Sequence, residues 1–265
     1  MMSGLRGKHM SKTIFMVHGM WGTGADWEFY RPFFEARGYR CVTPTLRHHD
    51  GPPTAPPTPG LGATSVVDYA NDLEAEIRKL PESPILMGHS MGGLLVQMLA
   101  ARGLGKAAVL LAPASPRGII ALRVSVVRSF LTHFLRWGFW RKPYLQTRGE
   151  AVYSMLHLLP DARREKVLGQ FVHESGRAPA EIGLWIFDPH RATRVDAAKV
   201  TCPLLIVTGV EDRITPISVV RQVAKRYGGR ATFKEFGGHA HRLMDETGWE
   251  AIAAYCADWM KQNGL

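Results

Sequence analysis

The chain is predicted to fold as an α/β protein, a mostly parallel sheet flanked by helices with a mainly helical cap inserted in it. Two observations carry this. Short apolar runs rich in β-branched residues alternate with helical patterns at both ends of the chain, and the alternation stops between residues 114 and 200. A length of 265 residues, 46% of them hydrophobic, suffices for one large core. The expected organisation is therefore a core of residues 11–113 and 201–265, with the cap at 114–200. Residues 1–10 contain Arg6, Lys8 and His9 without an apolar stretch. They are expected to be disordered or an addition to the natural start.

The elements follow in order. Residues 13–17, TIFMV, read as a buried strand stopped by Gly19. Gly22 to Ala25 form a small-residue loop, Asp26 is a candidate N-cap, and a short helix ends near Gly38. A second strand at 39–44 runs into the segment 51–60, where five of ten residues are proline, which rules out strand or helix interior. Val66, Tyr69, Ala70, Leu73, Ile77 and Leu80 follow helical spacing up to Pro81. A strand at 85–87, a turn at 88–93, an apolar helix at 94–101 and a strand at 107–111 come next. After the cap, strands are expected at 203–208 and 231–236, with a closing helix near 247–261.

Gly88-His89-Ser90-Met91-Gly92 fits G-x-S-x-G and lies between a strand and a helix, the setting that gives this motif its chemistry. A sharp turn there pushes the serine hydroxyl out, and the glycines remove side chains that would collide. A serine needs a base to take its proton and a carboxylate to orient that base. Asp212 follows the strand at 203–208, and His239 follows the last strand, so both fall on the rim that carries Ser90. Glu211 and His241 are the competing acid and base. Asp212 is preferred for its spacing from Gly209, and His239 because it directly follows a glycine.

With these residues the chain resembles the α/β-hydrolase superfamily, in its branch of capped serine esterases and lipases, from Thr13 onward. The matching segments are His18-Gly19-Met20-Trp21, the elbow through Gly93, Gly209 to Asp212 with Pro216, and Gly238-His239. No strands precede Thr13, so the sheet should be trimmed relative to larger relatives. The resemblance implies an oxyanion hole from the backbone N–H groups of Met20 and Met91, each such donor being worth about 3 kcal/mol. Gly19, Trp21 and His89 are candidate substrate contacts, Trp21 being equally open to packing under the cap and His89 to a structural role. The expected reaction is hydrolysis of carboxylic esters with a hydrophobic or medium-chain acyl group, monoacylglycerol included, through an acyl-enzyme, with no metal or other cofactor. A carbon-carbon bond hydrolase, a lactonase, a thioesterase or a cofactor-free haloperoxidase would use the same triad. A noncatalytic ligand receptor would keep the fold without needing the triad. Ser90 excludes epoxide hydrolases and haloalkane dehalogenases, which need a carboxylate at the elbow.

The net charge of +10 raises anionic partners. Nucleic acid is not expected, because no recognition motif or tight basic cluster is present. Residues 117–148 hold seven Arg or Lys, no acid and many large apolar side chains. Such a segment either buries its apolar face over the pocket with solvated arginines, the preferred reading, or lies on an anionic lipid surface. Cys41, Cys202 and Cys256 are too far apart and too few for a disulfide framework or zinc site and read as free buried thiols. Lacking a signal sequence and a membrane-length apolar run, the protein is expected in the cytoplasm.

Overall fold

The computed structural model describes residues 12–265, and the expectation for residues 1–10 lies outside them. Six parallel strands form one sheet in the order β2-β1-β3-β4-β5-β6, namely β1 (Thr13–Val17), β2 (Arg40–Val42), β3 (Ile85–His89), β4 (Ala107–Leu111), β5 (Leu204–Gly209) and β6 (Ala231–Phe236). The four central strands are buried along their whole length, as their unbroken apolar composition requires of a sheet covered on both faces.

The period-two alternation of strand side chains sorts the core into two layers. Phe15, Val17, Leu86, Ala108, Leu110, Leu204 and Ile206 face α2 (Val66–Ile77), α3 (Met91–Ala101) and α9 (Ile217–Tyr227). Their neighbours Ile14, Met16, Ile85, Met87, Val109, Leu205 and Val207 face α1 (Tyr30–Glu35) and α10 (Trp249–Gln262). Ser65 starts α2 with a capping box, its hydroxyl and the Asp68 carboxylate each accepting a backbone N–H of the first turn. The sequence reading has no helix between Asp212 and the last strand. The structure has α9 there, with Val219, Val220, Val223, Ala224 and Tyr227 buried at helical spacing. Its three valines lower helix propensity, and burial against the sheet overrides that.

Between β4 and β5 the chain leaves the sheet and forms a layer of short helices: α4 (Val124–Ser129), α5 (Leu131–Phe134), α6 (Arg148–Ala151), α7 (Asp161–Leu168) and α8 (Arg177–Gly183). α6 continues into a π-turn at Val152–Leu156. This layer has its own cluster of buried Val126, Phe130, Tyr144, Met155, Leu156 and Phe171, into which Trp21 inserts from below. Cys41 and Cys256 are buried free thiols, and free Cys202 is only half-buried. Among the described residues no helix is long and apolar enough to cross a membrane.

Candidate active site

A parallel sheet brings the ends of its strands to one rim, and that is where the candidate residues meet. Ser90 ends β3 and caps α3 with φ 55° and ψ −120°, a conformation that side chains rarely adopt. The turn is held by Ser90 N–H donating to Leu111 O at 3.0 Å, while Ser90 O accepts from Gly93 N at 2.9 Å and Ala114 N at 2.9 Å. A side chain at Gly92 would run into the carbonyls of Val17 and His18, so the elbow can press against β1 only with glycine there. Trp21 and Ala112 also have positive φ, which concentrates backbone strain around this rim.

Asp212 lies three residues past β5 and is 5% exposed. Its Oδ1 accepts the N–H groups of Ile214 at 2.9 Å and Thr215 at 2.8 Å, and its Oδ2 accepts the Thr215 hydroxyl at 2.7 Å. Oδ2 also meets Nδ1 of His241 at 2.7 Å. Both side chains of this pair are fully buried. The expected base, His239, is corrected by this geometry. Its Nδ1 lies 3.3 Å from Glu246, two residues from the ring that faces Asp212, and burial lowers its pKa. The Nδ1 hydrogen bond to a carboxylate places the His241 proton on Nδ1 and leaves Nε2 as the basic atom. That Nε2 is buried and has no hydrogen-bond partner among the described residues. Glu211, the competing acid, instead accepts from Gly238 N at 3.1 Å.

The loop that aims His241 is clamped from several directions. Glu211 N donates to His239 O at 3.0 Å. Glu246, itself 1% exposed, accepts from Ala240 N at 2.8 Å and Arg242 N at 2.9 Å, one on each side of His241. Burial, with the charges of Asp212 and Asp245 in support, pushes the Glu246 carboxyl up to about 7 against the pull of those two N–H groups. Arg242 forms a two-pronged ion pair with Asp245 at 2.9 and 2.7 Å, and Arg163 of α7 reaches the same carboxylate at 2.8 Å. The cap is thereby tied to the loop that holds His241. The long-range clamps, Glu211 to His239 and Arg163 to Asp245, were not legible in the sequence, because their partners come together only in the fold.

Met20, Met91 and Ser90 line one apolar cavity of about 50 Å³ with Leu122, Val126, Phe130 and Ile182 of the cap. Met91 is the first residue of α3, a position whose N–H finds no partner within a helix. Gly19 backs onto the elbow, where a Cβ would stand 2.9 Å from that of Ser90. None of the three candidate contacts, Gly19, Trp21 and His89, is among the residues lining this cavity. Trp21 is 1% exposed, donates from Nε1 to Tyr144 O at 3.2 Å and packs on Phe130 and Phe171, which makes it an anchor for the cap. His89 is buried, its ring 4.6 Å from that of His241, and its Nε2 donates to His241 O at 2.8 Å. Burial and the neighbouring His241 and Arg242 hold its pKa well below the ordinary histidine value, so it fastens the loop as a neutral ring.

The model of the alpha/beta hydrolase family matches residues 14–255. A pyrethroid hydrolase of Sphingobium wenxiniae is 30% identical over 259 residues, which is 91% of this chain and 86% of that protein. The crystal structure of a pyrethroid hydrolase from Sphingobium faniae superposes with a TM-score of 0.67 at 18% identity, covering 94% of this chain and 97% of that one. A methylesterase from Arabidopsis gives a TM-score of 0.70 at 12% identity, covering 94% and 99%.

Proposed function

From the premise that the chain belongs to the alpha/beta hydrolase family and is a serine hydrolase of the esterase type, we propose that it cleaves apolar carboxylic esters with Ser90 as nucleophile, His241 as base and Asp212 orienting that base. The observation that carries this reading is the buried His241–Asp212 hydrogen bond, which leaves Nε2 of the imidazole without a hydrogen-bond partner among the described residues, in a ring 4.6 Å from that of His89, the residue before Ser90. Nε2 takes the Ser90 proton as Oγ attacks the ester carbonyl, and Asp212 stabilises the imidazolium that forms. The N–H groups of Met20 and Met91 receive the oxyanion, in a cavity whose apolar walls strengthen those hydrogen bonds. Collapse of the tetrahedral intermediate expels the alcohol, which takes the proton from His241. Water, deprotonated by the same nitrogen, then attacks the acyl-Ser90 ester and releases the acid.

The lining by Ala121, Leu122, Val126, Phe130, Ile182 and Ile214 supports an apolar acyl or alcohol part. The relative named a pyrethroid hydrolase supports a pyrethroid as the first natural-sized ester to try. Small-molecule pockets usually offer roughly 300 Å³ or more, and this cavity offers about 50 Å³, so the cap has to yield as such an ester binds. The test is hydrolysis of p-nitrophenyl esters of increasing acyl length, and of a pyrethroid, by the wild type and by Ser90→Ala. Turnover should fall by about 10³ or more in the variant. A folded wild type inactive on every ester would refute the proposal.

A further inference from the structure

We propose that the outer face of the cap is a docking surface for an anionic lipid-water interface. The segment 117–148 has both of its faces apolar. Val126, Phe130 and Phe134 point inward and line the cavity over Ser90. Val124, Val127, Leu131 and Leu135 recur at helical spacing along α4 and α5 and point outward, where Val124 is 87% and Leu135 77% exposed. Trp137, 86% exposed, continues this face and meets Trp140 edge to face at 5.7 Å. Trp140 in turn shares a groove with Phe187, which is 80% exposed beside exposed Ile186. Burial over the pocket therefore leaves Ile120, Val124, Val127, Leu131, Leu135, Trp137 and Trp140 of this segment exposed. A monomeric protein rarely leaves such a run of large apolar side chains in water without a partner for it.

The charge on this face selects the partner. Arg123, Arg128, Arg136, Arg141 and Lys142 are exposed around the apolar run, and the segment has no acidic residue. Among the described residues none of these five forms an ion pair. Asp188, the carboxylate beside Phe187, is engaged in accepting the N–H groups of His190 and Ala192. A second copy of the chain docked face to face would set these cations against each other. An anionic bilayer answers both features: arginines reach the headgroups while Leu135, Trp137 and Phe187 sink to the acyl boundary. Because the inner side of the same helices covers Ser90, a docked cap would sit between the lipid and the cavity.

The test uses the full chain with vesicles of phosphatidylcholine alone and of phosphatidylcholine mixed with phosphatidylglycerol, read by co-sedimentation at low and high salt. Binding is expected to the mixed vesicles only, and to weaken by about tenfold or more at high salt as the surface potential is screened. The double variant Leu135→Glu/Trp137→Glu changes exposed side chains only and should keep the wild-type circular dichroism and melting curve while losing the vesicles. Arg136→Glu/Arg141→Glu should weaken binding and flatten its salt dependence. Absence of binding to mixed vesicles overturns the proposal, as does undiminished binding by the first variant. A concentration-dependent dimer that this variant abolishes, without vesicle binding, also overturns it and assigns the face to self-association.

Discussion

α3 and the α4–α5 pair are both strongly apolar, yet they meet opposite fates. α3 has ten of its eleven residues buried because the sheet lies on one side of it and α2 packs against it on another. α4 and α5 find partners on one face only, the one above the cavity. The difference separates two tasks. Ser90 is held at a strained φ at the start of a helix buried over ten of its eleven residues, a rigid seat of the kind its proposed role as nucleophile requires. The cover over the cavity is built of short helices packed on one face only.

The contrast predicts unequal sensitivity to substitution. Leu95→Ala, at a fully buried position of α3, should cost about 2–5 kcal/mol in urea unfolding. Leu135→Ser, on the outer face of the cap, should stay within about 0.5 kcal/mol. Equal losses would break the comparison. On the inner face, Phe130→Ala enlarges the cavity. It should move the ratio of kcat/KM for long over short acyl esters by about tenfold, with little change in the turnover of the shortest. An unchanged ratio would remove the cap from substrate selection.

The smallest expected effect concerns pH and the rigid half. Burial, with His49 nearby, depresses the pKa of His18 from 6.5 to about 3. Above pH 6.5 the ring is neutral in both folded and unfolded chains. As pH falls below 6.5 the unfolded chain binds a proton that the folded one refuses, so stability declines between pH 6.5 and about 3. His133, depressed to about 4 by burial, adds in the same direction from the cap side. His18→Asn should flatten the slope of unfolding free energy against pH in this window. An unaltered slope would place the acid sensitivity elsewhere.

The core was legible because local pattern decides it. The run at Thr13–Val17, the strand at Ala107–Leu111, the strand at Ala231–Phe236 and the elbow around Ser90 each announce themselves in a few consecutive residues. Two histidines two residues apart carry no such local signal. Which of them reaches Asp212 is decided by where Glu211 and Glu246 grip the loop backbone, and those contacts exist only after folding. For Trp21 and His89 the sequence leaves substrate contact and structural packing both open for a related reason. Standing next to Gly19 and Ser90 in sequence suggests the pocket, while their rings turn away, one into the cap and one beneath the histidine loop. The outward apolar stripe of α4 and α5 was visible as composition, and its exposure was not, since the preferred burial needed a second surface that the fold does not supply.

The proposed role of His241 as base is tested most directly by kcat/KM for a p-nitrophenyl ester in His241→Asn and His239→Asn. The geometry predicts a loss of about 10³-fold or more in the first and a change of less than about tenfold in the second, whose ring does not meet Asp212. The reverse pattern, His239→Asn inactive and His241→Asn active, would contradict it.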